Sequence, residues 1–470
     1  MYHLLPFRFS RIDDYEVLIS ELGNYLVVPQ GTIQLIVNHS LPSDNPFYKD
    51  LVVGNFISEE AFPSLINNQA VRLRTKKAFL DNFTSLHIIV LTLRCNQNCT
   101  YCQASSRPKY EQGYDISITN LKKSIDLIFQ SPSLSVTIEF QGGESSLVPE
   151  LIYTAVDYSK LKNTLIHKEI TYVLCTNSIE LSEDLINYCK ENNIYISTSF
   201  DGPEFLHNNN RGKNNSYNKF LSGIEKLRKI IGNEFISALM TTSIESLDYP
   251  YEIVNSYIQN GFNRIFLRPL NPYGLIRDSI DWDTYFKDFV CFYIRALDYI
   301  IELNIKGISI VEDFATIILR KILTPYSDGF VDLQSPAGII NSVVVYNYNG
   351  KIYASDESRM IAEYGDDKFC LGTVNDDYNS LFYGKLTQSM AKLWCTEYIA
   401  GCSDCAFQSY CGADPVRNYV TQQDPYGFRP TSQLCLVHKS IIEHLFRLLI
   451  YRKSEVFPIF QSWIVGEKIC

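Results

Sequence analysis

From residue 85 onward the hydrophobic pattern alternates between short β-type runs and longer stretches with the three-to-four spacing of helices. Residues 86–93 are mostly apolar, residues 118–129 have helical periodicity, and residues 136–140 are rich in β-branched side chains. Residues 170–174, 194–200, 235–241 and 264–267 complete a set of six strands, with helical stretches between them. Strands separated by helices predict parallel pairing and an α/β fold. Residues 1–75 read as a separate small α+β module. Its strands fall at 12–19 and 25–28 around a Gly23-Asn24 turn, followed by short helices at 29–38 and 45–54. The most apolar helical stretch, residues 285–303, carries Lys287, Asp288, Arg295, Asp298 and Glu302, which predicts an amphipathic core helix and no membrane partner.

Two cysteine groups change this picture from architecture to chemistry. Cys95, Cys99 and Cys102 follow the 86–93 strand at Cys-x3-Cys-x2-Cys spacing. Three thiolates so spaced can converge on one iron–sulfur cluster, leaving one iron of a cubane open to a chelating substrate. A structural zinc site would want a fourth ligand, and the nearest downstream histidine is His167. The second group, Cys402, Cys405 and Cys411 with a distant Cys435, can wrap one cluster, with four-cysteine zinc as the alternative. After the strand at 136–140 come Gly142, Gly143 and Glu144: glycines that let a backbone approach a ligand, and a carboxylate that can accept from an ammonium.

Composition narrows the setting. A chain of 470 residues has room for two or three domains, and 46% hydrophobic with 13% aromatic residues describes a well-packed globular protein. A net charge of −10 argues against general nucleic-acid affinity, and the basic residues 71–77 read as a linker or solvated helix face. The first residues lack the pattern of a signal peptide, and seven of the thirteen cysteines fall in the two groups, which points to a reduced cytoplasm.

The Cys95–Cys99–Cys102 signature resembles that of the radical S-adenosylmethionine enzymes, over about residues 82–440. The resemblance implies a partial (β/α)6 barrel, with ligands at the C-terminal ends of its strands. It implies a [4Fe-4S] cluster whose open iron binds S-adenosylmethionine, and release of a 5′-deoxyadenosyl radical. It places Tyr101, Gly142, Gly143 and Glu144 at the cofactor, with Glu144 on its amino group. Thr176 and Asn177, then Ser199 and Asp201, match ribose- and carboxylate-facing segments, and Arg211 matches an arginine that pairs with the methionine carboxylate. Ordinary loop hydroxyls and a surface arginine are the alternative for these. Cys175 and Cys189, in apolar surroundings, read as packing residues.

The C-terminal region resembles the SPASM extension of radical enzymes that modify peptides, with an informative departure. Ser335, Ser355 and Pro415 stand where the first auxiliary cluster would take cysteines, so one auxiliary [4Fe-4S] cluster is expected, on Cys402, Cys405, Cys411 and Cys435. Cys370 and Cys395 are spare ligands or core residues. Asp356, after Ser355, matches the catalytic base of sulfatase-maturing enzymes, with an exposed loop aspartate as the alternative; Asn349-Gly350 before it signals a hairpin. Residues 1–75 resemble small winged-helix domains that bind leader peptides, or form a structural cap. Segments at 5–9, 353–360, 412–417 and 427–431 resemble maturases of the His-Xaa-Ser-repeat peptide system. The expected order is therefore the 1–75 module, a barrel at 82–310, an auxiliary-cluster region at 311–440 and a helical tail at 441–470. The expected activity is hydrogen abstraction from a residue of a ribosomally made peptide, leading to a crosslink or another oxidation, with flavodoxin or ferredoxin as electron donor. A sulfatase-maturase-like enzyme and a non-catalytic iron–sulfur peptide scaffold are the alternatives.

Overall fold

Six of the strands in the central sheet run parallel, in the spatial order Ile236–Leu239, Ile194–Ser199, Glu169–Thr176, Ser135–Gly142, Leu86–Thr92 and Val343–Tyr346. Lys351–Tyr353 and Cys370–Thr373 then extend the edge antiparallel. This computed structural model describes residues 2–60, 62–212, 215–326, 329–391, 393 and 395–466. Helices cross between the parallel strands, among them Ile118–Ile128, Pro149–Ile166 and Glu183–Glu191. Their apolar stripes pack on the sheet face that carries Val136, Ile138, Phe140, Tyr172, Leu174 and Ile196, all at most 4% exposed. Alternation along each strand turns Glu139, Gln141, Cys175, Ser197 and Ser199 to the opposite face, where a cleft opens.

The sixth expected strand forms but leaves the main sheet. Arg264–Ile265 pairs in parallel with Val311–Glu312, and an isolated bridge from Thr242 to Pro269 reaches back toward the sheet. Pro269 and Pro272 interrupt the segment, and a proline cannot donate to a ladder. The amide of Leu267 instead donates to the buried carboxylate of Glu312 (3.1 Å). The sheet therefore does not close into a barrel. It grows at the other edge, where the expected hairpin at Asn349-Gly350 forms with Gly350 at φ +82°. Val343–Tyr346, the first strand of that hairpin, lies between Lys351–Tyr353 and Leu86–Thr92, covered on both faces, which accounts for its unbroken apolar run.

In the N-terminal module the expected single strand at 12–19 is a hairpin. Phe7–Ile12 and Tyr15–Ser20 pair antiparallel across a turn with Asp13 at φ 51°, and Tyr25–Pro29 adds a third strand. Two adjacent aspartates tolerate this turn where apolar residues would not. One face of the sheet, with Leu18 and Val28, makes a small core with Ile36, Leu51 and Phe56; the other, with Val17 and Ile19, joins the main core. The basic 71–77 segment ends the helix Phe62–Lys76, where Lys76 Nζ donates to the Leu22 carbonyl (2.8 Å) and Lys77 pairs with Glu397 (2.7 Å). Ring contact between Tyr25 and Phe446 (5.3 Å) docks the module on the helix Gln433–Tyr451. That helix packs along Trp282–Ile305, the expected amphipathic core helix, and Lys453–Val465 follows it. The last four residues of the expected 441–470 tail lie outside the described residues. Among the described residues no helix is long and apolar enough to cross a membrane.

Candidate functional site

The strand Leu86–Thr92 delivers the first cysteine loop to the C-terminal edge of the parallel sheet, where the strand Ser135–Gly142 meets it. Gly142 has φ +132°, and a Cβ there would sit 2.0 Å from the Thr92 carbonyl oxygen. At Gly143 a Cβ would lie 2.3 Å from the Arg94 oxygen and 2.5 Å from that of Leu93. The glycines thus approach the backbone leading into Cys95, and their closeness serves that junction before any ligand. Amide hydrogen bonds from Gly143 to Thr92 and from Glu144 to Arg94, both 2.8 Å, fasten it.

Glu144 is fully buried at this junction. Its carboxylate accepts from Thr176 Oγ1 (2.5 Å), the Asn177 amide (2.7 Å) and the Ser146 amide (3.2 Å). Burial raises its pKa, and these donors oppose the rise. Asn177 Nδ2 also donates to Asn96 Oδ1 (2.7 Å), tying the third strand to the cysteine loop. In this structure Thr176 and Asn177 hold Glu144 in place.

Tyr101, between Cys99 and Cys102, is anchored from below. Its hydroxyl donates to Asp201 (2.5 Å), whose carboxylate takes Nε and Nη2 of Arg211 bidentately, both at 3.0 Å. Asp201 is fully buried, and the Arg211 guanidinium stands 5.6 Å from the Tyr101 ring centre. Burial works against ionisation of Asp201, but the charges of Arg211 and His207 and the hydrogen bonds outweigh it and hold its carboxyl below the usual range. Asp201 stands behind the cleft; Arg211 and Ser199 line it.

The cleft is open to solvent, about 1020 Å³ including its mouth, and gathers Cys95, Cys99 and Cys102 with Glu144, Thr176 and Asn177. Burial pushes the Cys99 thiol up to about 11 and raises Cys95 further, so both need a metal to ionise them. Asp356 closes the opposite wall. It opens the helix Asp356–Ala362, not an exposed loop, and its carboxylate accepts from Arg359 Nε (3.0 Å). Arg359, 1% exposed, reaches across to the Ala104 carbonyl (3.0 Å) beyond Cys102. The sequence reading missed Glu139, whose signal was a carboxylate inside an apolar strand. It placed Cys175 among packing residues, whereas Cys175 lines the cleft and donates to Glu139 Oε1 (3.3 Å). Cys189 is a packing residue, 1% exposed.

The second group gathers as well. Cys402, Cys405, Cys411 and Cys435 surround a cavity of about 470 Å³, with Arg429 and His438 in its wall. Cys411 Sγ lies 3.4 Å from His438 Nδ1, and burial pushes the Cys411 thiol up to about 12. Among the described residues no three His, Cys, Asp or Glu side chains close to the spacing of a single ion; both cysteine groups line cavities instead. The positions that lack cysteine have structural work. Ser355 caps its helix in a reciprocal capping box with Ser358, and Pro415 is the first residue of Pro415–Gln422. Ser335 bonds Glu397 and the Thr396 amide (3.0 Å). Cys370 and Cys395 do not line the second cavity.

Residues 89–255 match the Radical SAM superfamily. A cysteine-type anaerobic sulfatase-maturating enzyme of Clostridium novyi is 24% identical over 213 residues, which are 43% of this chain and 56% of that enzyme. The chain spans about half the length of the first curated relatives it matches. Among solved structures, native anSMEcpe with bound AdoMet and Cp18Cys peptide superposes with a TM-score of 0.64 at 20% identity, over 79% of this chain and 99% of that one. Streptococcus suis SuiB bound to the precursor peptide SuiA superposes with a TM-score of 0.50 at 12% identity, over 93% and 100%.

Proposed function

Because residues 89–255 form a radical SAM domain, we propose that this chain is a radical S-adenosylmethionine maturase that oxidises a residue of a ribosomally made peptide, forming a crosslink or a related bond. The observation that carries this reading is the convergence of Cys95, Cys99, Cys102 and the buried Glu144 on one cleft, with Asp356 facing them. Cys95, Cys99 and Cys102 would hold the [4Fe-4S] cluster, with S-adenosylmethionine on its open iron. When bound, this pair supplies a 5′-deoxyadenosyl radical that takes a hydrogen atom from the substrate.

The chain's own residues do the rest. Glu144, kept aligned by Thr176 and Asn177, orients the ligand's ammonium, and Tyr101, Ser199 and Arg211 complete the cofactor wall. Asp356 takes a proton from the substrate residue as it is oxidised. Cys402, Cys405, Cys411 and Cys435 would hold one auxiliary [4Fe-4S] cluster, and a flavodoxin or ferredoxin would supply electrons. A peptide substrate is supported by the peptides bound to anSMEcpe and to SuiB, and the N-terminal module is the candidate seat of a leader segment.

Anaerobic incubation of the reconstituted, reduced protein with S-adenosylmethionine tests the core of the reading: 5′-deoxyadenosine should accumulate. Its absence would favour the non-catalytic scaffold. Sulfatase maturation is the second reading, favoured by the similarity to sulfatase-maturating enzymes. Formylglycine on a sulfatase-derived peptide would decide for it.

A further inference from the structure

Behind Asp356 lies a second, narrow cavity between the segment 266–273, the helix Asp356–Ala362 and the C-terminal helices. The two cavities share one helical turn: Asp356 lines the cleft and Glu357 lines the cavity. Three carboxylates, Asp332, Glu357 and Asp414, face two guanidiniums, Arg268 and Arg417, in its walls. Arg417 is 6% exposed, and its Nε and Nη2 have no hydrogen-bond partner; Nη1 donates to Asn271 Oδ1 (3.3 Å). The hydroxyl of Tyr273, 1% exposed, is also unpartnered. Phe266, Phe286, Phe289 and Phe330 form the apolar walls.

We propose that this cavity receives a basic side chain, of lysine or arginine type, of the peptide substrate, and so sets which residue is presented to the cleft. The inference rests on the peptide-modifying reading above. Polar groups buried without partners cost free energy, so orphaned donors on Arg417 and Tyr273 mark a place where a ligand completes the structure. A peptide carbonyl satisfies them. The carboxylates outnumber the guanidiniums by one, and burial shifts Glu357 up to about 8 and Asp414 up to about 6. For Glu357 the neighbouring carboxylates Asp332, Asp414 and Asp356 add to the shift. With all three carboxylates ionised the cavity is short of one positive charge, which a proton on Glu357 offsets below about pH 8. An ammonium or guanidinium supplies it, its alkyl stem lying on Phe289 and Phe330, since Arg268 and Arg417 already stand over the rings of Phe266 (5.4 Å) and Phe286 (4.7 Å).

The test titrates reconstituted holoenzyme, with S-adenosylmethionine bound, with the Nα-acetyl amides of arginine, lysine, citrulline and norleucine, followed by calorimetry. Citrulline and norleucine keep the shape and remove the charge. The basic ligands should bind at least about tenfold more tightly, as for other charge-assisted contacts. That preference should disappear in Asp332→Asn and Glu357→Gln, with iron content and melting temperature reporting that each variant is folded. Asp332, exposed at the cavity wall, is the variant least able to disturb packing. Equal binding of arginine and citrulline, or a charge preference that survives both substitutions, overturns the proposal. 5′-Deoxyadenosine formation without peptide is measured in parallel. Its loss in the wild-type protein counts against the radical reading, and its presence without charge preference counts against the cavity alone.

Discussion

Replacing Asp201 by Asn tests whether the floor beneath the cysteine loop is an ion pair or a set of interchangeable hydrogen bonds. The side chains of Asp201 and Arg211 are 0% and 8% exposed, and two contacts of 3.0 Å join them. Asparagine keeps the shape and one acceptor but leaves the guanidinium buried without its counter-charge. Breaking one partner of a buried pair costs about 3–5 kcal/mol, a large share of a total stability of roughly 5–15 kcal/mol. Removing both charges, as in Asp201→Asn with Arg211→Met, should cost less than the sum of the single changes by at least about 2 kcal/mol, since the stranded charge goes with its partner. Urea unfolding of the four proteins, followed by tryptophan fluorescence and circular dichroism, gives the coupling. The shift at Asp201 also sets a pH signature. Its folded pKa lies below the unfolded value, so its contribution is present above about pH 4 and is lost as pH falls through the folded pKa. The variant's disadvantage should therefore shrink in acid. Because Tyr101 donates to the same carboxylate between two cysteines, iron retention should fall as well. A cost below about 1 kcal/mol with no measurable coupling would refute the reasoning.

The remaining expectations concern the cleft and its neighbour. Reconstituted protein should hold about eight irons, and replacing Cys95, Cys99 and Cys102 together with Ala should remove about half; a content near twelve would mean that other ligands complete a third cluster. Gly143→Ala drives a methyl group into two backbone carbonyls, so it should cost about 1–3 kcal/mol in unfolding and lower iron content selectively at the first cluster, read by electron paramagnetic resonance. Asp356→Asn should keep its iron and its 5′-deoxyadenosine but lose product formation by about 10²–10⁴-fold in a mass-spectrometric assay of modified peptide. Binding of acetyl-arginine amide should strengthen with pH up to about 8 and then level, because Glu357 must ionise to meet the cation. Glu357 is faced by Asp332, Asp414 and Asp356, with Arg268, Arg417 and His438 in the same walls, so the slope should be read against Glu357→Gln, where it should be reduced.

What the sequence determined by itself was local and periodic. Alternating strand and helix periods, the cysteine spacing and Gly142-Gly143-Glu144 are short-range features, and each lies where a parallel α/β sheet gathers its strand ends. The hairpin at Asn349-Gly350 was legible for the same reason, since its turn is encoded in two residues. Tertiary structure decided what depends on partners distant in the chain. Val343–Tyr346 joins the sheet beside Leu86–Thr92 across more than 250 residues, and no periodicity says which edge a buried strand will choose. Arg211 read as a ligand for a carboxylate, and the fold supplies Asp201. Cys175 read as packing, and strand alternation turned it with Glu139 into the cleft. The glycines read as room for a ligand, and their first use is room for the backbone of Leu93 and Arg94. The cavity holding Asp332, Glu357 and Asp414 had no signal in the chain, because its carboxylates come from three separate segments that only packing brings together.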